Sequence, residues 1–185
     1  MPPSRTEAEL LTVDDYRSTP EGSRYQLVEG ELIMAPAPNL YHQEIVGRLF
    51  RVLAAHVEQH DLGRVFVAPA DVYLTEHNVV QPDVLFVAKA RERLLAEDGI
   101  YGAPDLVVEV VSPSTARLEK TTKRRVYAQA GVDEMWLADP VLRQVHVYRF
   151  TQDPAKPACI LDEGDTLEIP LLPGVQISLT DVFKR

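Results

Sequence analysis

A chain of 185 residues, 45% hydrophobic and 25% charged, has the composition of an ordinary globular protein, and one domain over residues 1–185 with a core at about 25–150 is expected. A formal net charge of −9 excludes a non-specific nucleic-acid coat, which needs cationic surface, but not a metal-dependent nuclease, whose site needs carboxylates. No apolar run is long enough to cross a membrane, the N-terminus does not read as a secretion signal, and Cys159 is alone, so a cytoplasmic protein without an internal disulfide is expected.

In chain order, a short helix is expected at about 6–18, followed by a Pro-Glu-Gly turn. "YQLVEGELIMAP" (25–36) alternates around Glu29-Gly30 and predicts a β-hairpin. Asn39 follows a proline-rich connection and is placed to cap a helix over 40–60. In that helix Ile45, Val46, Leu49, Val52, Leu53 and Val57 form one stripe, with His42 a turn ahead on the same side. Short strands follow at 64–68, 71–75 and 83–88, then a connection over 89–103 with a short helix at 89–96.

The run "LVVEVV" predicts a buried strand at 105–111. Ser112 and Ser114 then read as strand exit and cap of a helix over 115–130, stopped by Gly131. "DEMWLADP" (133–140) and "RQVHVYRF" (143–150) are two further strands, with Trp136 in the core. Residues 158–178 read as short strands, then a last helical turn. The order predicts an α/β (α+β) protein with a mixed central sheet, covered by the helices at 40–60 and 115–130.

Glu109 is the one charge in "LVVEVVSPST" (106–115), and on the expected strand it shares a face with Asp105, Val107 and Val111. An isolated ionised carboxylate on a covered face costs several kcal/mol or is protonated, unless a cation, a donor or a metal meets it. Asp83, after Pro82, opens the apolar run Val84-Leu85-Phe86-Val87. Two acids on neighbouring strands make a hard oxygen site suited to Mg²⁺ or Mn²⁺. Lys123 is the cation candidate, on the inward face of its helix with Tyr127 and Ala130, while Lys120 lies three residues before it. Taken singly, Asp83 reads as a strand cap, Lys123 as a solvated helix charge, and His42 as a half-buried helix-start residue. "RLEKTTKRR" (117–125) holds five basic residues against one acid and reads as a solvated face. The chain has no Gly-rich phosphate loop, no Cys-x-x-Cys pair and no Gly-x-Ser-x-Gly elbow.

"QPDVLFV", "PDLVVEVVSPST", the lysine at 123 and "YAQAGVDEMWLADP" closely resemble the bacterial Uma-two family, placed with the PD-(D/E)XK restriction-endonuclease-like proteins. The resemblance runs from the hairpin to about Phe150, and no motif of the tail beyond 158 matches. It implies a restriction-endonuclease-like core of helix, three strands, helix and strand (αβββαβ). Asp83 matches the first acid of the motif and Glu109 the second. The usual lysine position, two residues after the second acid, holds Val111 here, and Lys123 matches relatives that carry the amine on the following helix.

The resemblance implies a Mg²⁺- or Mn²⁺-dependent nuclease acting on DNA. Asp83, Glu109 and the Val110 carbonyl would hold the metal, and Lys123 would act on the water or the developing charge. His42, Tyr127 and Lys120 would support the site. Two other functions stay open: a catalytically silent interaction protein on the same fold, and a metal-dependent hydrolase of another phosphate ester. Exposed strands in the hairpin and tail suggest a homodimer.

Overall fold

The structure, a computed structural model, describes residues 10–20, 22–112 and 116–185. The elements are α1 (Val13–Arg17), β1 (Tyr25–Val28), β2 (Glu31–Met34), α2 (Leu40–Gln59), β3 (Gly63–Val67), β4 (Val72–Thr75), β5 (Asn78–Val80) and β6 (Val84–Ala88). After a 3₁₀ helix at Lys89–Leu94 come β7 (Leu95–Ala96), β8 (Gly99–Tyr101) and β9 (Leu106–Val110). A π-helical stretch, Leu118–Lys123, runs into α3 (Arg124–Ala130). β10 (Glu134–Asp139), β11 (Gln144–Arg149), β12 (Cys159–Asp162), β13 (Thr166–Leu167), β14 (Ile177–Ser178) and α4 (Leu179–Phe183) complete the chain.

The hairpin forms as expected. Glu29 and Gly30 both have positive φ, 52° and 77°, and pair Val28 with Glu31 across a two-residue turn whose twist suits antiparallel strands. α1 starts only at Val13, since residues 10–12 are not helical; the first part of the expected helix, the glutamate of the Pro-Glu-Gly turn and Ser114 all lie outside the described residues. Asn39 caps α2, its side-chain oxygen accepting the His42 backbone N–H at 2.8 Å. Gly131, at φ 87°, ends α3.

The expected mixed central sheet has the order β12-β11-β10-β9-β6-β3, and a second six-stranded mixed sheet, β2-β1-β5-β4-β8-β7, lies beside it. The first holds the αβββαβ core: β3, β6 and β9 are antiparallel neighbours, and β10 returns parallel to β9 after the helix. The 72–75 strand belongs to the second sheet, where it pairs with β5 and β8 and joins the N-terminal hairpin.

β9 is buried along its whole length because both faces of its sheet are covered. Leu106, Val108 and Val110 pack on Ile45, Leu49 and Leu53 of α2 and on the tail, including Leu172, Leu179 and Phe183. Val107 and Val111 pack on the other side with Leu85, Val87 and Tyr127, and with Val72 and Ile100 of the second sheet. Glu109 faces this second layer, between the first sheet and α3. α2 and α3 therefore cover opposite faces, and their ends meet at the C-terminal end of β9.

Candidate functional site

Glu109 leaves the middle of the apolar layer near the end of β9, with its side chain 2% exposed. Lys123, also 2% exposed, forms an ion pair through Nζ with Glu109 Oε1, and the Tyr127 hydroxyl donates to the same oxygen. Lys123 and Tyr127 are four residues apart, so a single helix face delivers both donors. Burial pushes the Glu109 carboxyl up, against the lowering effect of Lys123. Tyr127 is pushed well above the ordinary phenol range by burial, then by the Glu109 charge.

Asp83 stands where the chain enters β6. Its Oδ2 accepts the Val110 backbone N–H at 2.7 Å, tying the start of β6 to the end of β9. His42 comes from the first turn of α2: its Nε2 lies 2.8 Å from the Val110 carbonyl oxygen and 3.5 Å from Asp83 Oδ2. Because a carbonyl only accepts, Nε2 carries a proton here. Burial acts to lower the His42 pKa, but Asp83, the Val110 carbonyl and the charge of Glu119 outweigh it and raise it. Among the described residues His42 Nδ1 is buried without a hydrogen-bond partner.

Asp83, Glu109, Lys123 and His42 line one cleft of about 390 Å³, together with Gln81, Ser112 and Glu119. The structure thus brings together both acids, the amine and the imidazole. Lys120 is elsewhere: it does not line this cleft, and its amine donates to Asp139 Oδ2 at 2.9 Å. The i, i+3 spacing from Lys123 assumes α-helical turns, and the π-helical stretch has more residues per turn, which swings Lys120 off that face. Glu119 is the residue that sequence reasoning passed over. It is buried beside the cleft at 7% exposure, and its spacing of four from Lys123 is the signal that would have found it.

The donor set consists of hard oxygens: two carboxylates and a backbone carbonyl. Asp83 Oδ1 takes no hydrogen bond from the described residues. Those residues hold no group of three or more His, Cys, Asp or Glu side chains close enough to cage a metal. Carboxylate and carbonyl oxygens are donors suited to a hard divalent cation that keeps part of its water shell. No helix among the described residues is long and apolar enough to cross a membrane.

No curated protein matches this chain. A crystal structure of a "putative nuclease belonging to DUF820" from Anabaena variabilis superimposes with a TM-score of 0.78 at 23% identity, covering 94% of this chain and 97% of that one. The shared fold therefore takes in nearly the whole molecule, the second sheet and tail included. A family model described as Uma2, "putative restriction endonuclease", matches residues 12–180, which extends the likeness past Phe150 into the tail. By that match over most of its length, the chain belongs to the Uma2 family of restriction-endonuclease-like proteins.

Proposed function

We propose that this protein is a Mg²⁺- or Mn²⁺-dependent nuclease that hydrolyses phosphodiester bonds of DNA in the cleft formed by β6, β9, α2 and α3. The observation that carries this reading is the arrival of Asp83, Glu109 and Lys123, from three different elements, in one cleft. Asp83, Glu109 and the Val110 carbonyl would hold the cation, which when bound would supply charge neutralisation and an acidified water. Lys123 carries positive charge to the phosphate, sharing its three donors between Glu109 and a phosphate oxygen. Tyr127 fixes the Glu109 rotamer through its hydroxyl. His42 holds its Nε2 proton at the mouth of the site, where it donates to the Val110 carbonyl or to a phosphate oxygen.

The test is cleavage of single- and double-stranded DNA with Mg²⁺, Mn²⁺ and EDTA. Asp83→Asn and Glu109→Gln are expected to abolish metal-dependent cleavage, and Lys123→Met to slow it roughly 10²–10³-fold. A folded wild-type protein that cuts no DNA with either ion overturns the reading.

One observation favours the silent interaction protein instead: Glu109 is already balanced by Lys123 and Tyr127, so a cation must compete with them. Titration calorimetry separates the two, because the silent protein takes up neither ion. The nuclease reading also includes a homodimer, with β2 and β12 as edge strands of the two sheets. Sedimentation equilibrium measures that association.

A further inference from the structure

A second cavity, about 630 Å³, adjoins the cleft, and Arg24, Pro69 and Gln81 line both. Gln81, which lines both, stands two residues before Asp83. Asp83 lines the cleft, while Gln81 donates through Nε2 to Asp71 Oδ1 at 2.7 Å, beside the second cavity. The same Asp71 oxygen accepts the Tyr16 hydroxyl at 2.8 Å, and Oδ2 takes no donor from the described residues.

The cavity's aromatic side is held in place on several sides. Tyr73 stacks on Tyr101 with ring centroids 4.7 Å apart and 8° between planes, and Tyr16 meets it edge-on at 6.4 Å. The Arg17 guanidinium lies 5.3 Å from the Tyr73 centroid and donates to the Tyr101 hydroxyl at 3.1 Å. Phe66 adds a further aromatic surface. At the junction of the two cavities, the guanidinium of exposed Arg24 forms no ion pair or hydrogen bond with the described residues. It is an uncommitted cation on a chain whose net charge is −9.

We infer that this second cavity holds the base of the nucleotide next to the scissile phosphate, with Arg24 on the intervening phosphodiester and Asp71 accepting from an amino group on the base. The inference rests on the nuclease reading for its orientation, and it specifies the substrate. A base enclosed by Tyr16, Phe66 and Tyr73 is not paired, so the substrate is single-stranded or locally unpaired nucleic acid. A carboxylate oxygen accepts and never donates, so at the C4 edge of a pyrimidine it favours the amino group of cytosine over the O4 carbonyl of thymine, whose remaining donor is the ring N3–H.

The experiment is binding of fluorescein-labelled hexamers of dC or dT, and of a duplex, to wild-type protein in EDTA, where no metal-dependent cleavage runs. The dC hexamer is expected to bind about tenfold more tightly than the dT hexamer, in line with one hydrogen bond to a charged acceptor, and more tightly than the duplex. Asp71→Asn removes the charge while keeping the shape, and is expected to bring the dC and dT affinities to near equality. Arg24→Ala is expected to weaken both hexamers alike and to lower the salt slope by about one. Circular dichroism establishes that each variant is folded.

Equal wild-type affinity for dC and dT, a preference for duplex, or discrimination retained in Asp71→Asn each overturns the inference. Base-selective binding that survives in a protein inactive with Mg²⁺ and Mn²⁺ supports the cavity and rejects the nuclease reading. Cleavage without base selection rejects the cavity and keeps the nuclease.

Discussion

Lys123 and Glu109 each sit in a low-dielectric layer, and each is tolerated only because of the other. Replacing one alone strands a buried charge, at a cost of about 3–5 kcal/mol, whereas replacing both with apolar residues of similar volume is neutral or stabilising. Urea denaturation of Glu109→Leu, Lys123→Met and the double variant is therefore expected to show two strongly destabilised single variants and a double variant that recovers most of the loss, short of the wild type by about 1–3 kcal/mol for the Tyr127 hydroxyl left without its acceptor. Additive losses would mean that the pair is not coupled. Glu109 was legible in the sequence because a lone charge among valines has one physical explanation, a partner. Lys123 was less so, since a helical lysine ordinarily faces water and only its alignment with Tyr127 placed it inward. Lys120 misled because three-residue spacing was read with α-helical geometry.

At the scale of elements, α2 carries two duties along one helix. Its apolar stripe packs on β9, and its first turn offers His42 to the Val110 carbonyl, in a position fixed by the Asn39 cap. Asn39→Ala is expected to cost about 1 kcal/mol in thermal or urea unfolding, the usual cost of losing such a cap. Long periodic elements of this kind were readable in advance, as was the hairpin turn at Glu29-Gly30. The second sheet was not. β5 and β8 have three residues each and β7 two, too short for alternation to register, and their pairing is set by partners distant in the chain. The division of neighbouring strands between two sheets is a tertiary outcome that no local pattern carries.

Taken whole, the molecule keeps several ionisable groups inside its main sheet, so its stability depends on pH. Glu134 is 4% exposed; burial raises its pKa above the ordinary 4.5, while Trp136 Nε1, donating at 2.7 Å, and Arg149 pull the other way. A folded-state pKa above the unfolded one means that the native state binds the proton more tightly. Stability from this group is thus greatest below about pH 4.5 and is lost as pH rises through the raised value. Melting temperatures measured from pH 4 to 7 are expected to show the advantage of wild type over Glu134→Gln shrinking as pH rises, with an unchanging gap as the contrary result.

The tail is also part of this whole. Leu167, Ile169, Leu172, Val175 and Phe183 close the core against α2, a role that absent motifs concealed and apolar spacing alone did not assign. Of the two acids of the cleft, Glu109 sits in β9 and Asp83 at the entry to β6, while the amine is helix-borne, so the charges of the site rest on separate supports. Substitutions along the Leu118–Ala130 helix change the cation's reach and, through Lys123 and Tyr127, the seat of Glu109, while Asp83 stays tied to the Val110 N–H. A lysine seated at position 111, locked into the sheet, would offer no such adjustment.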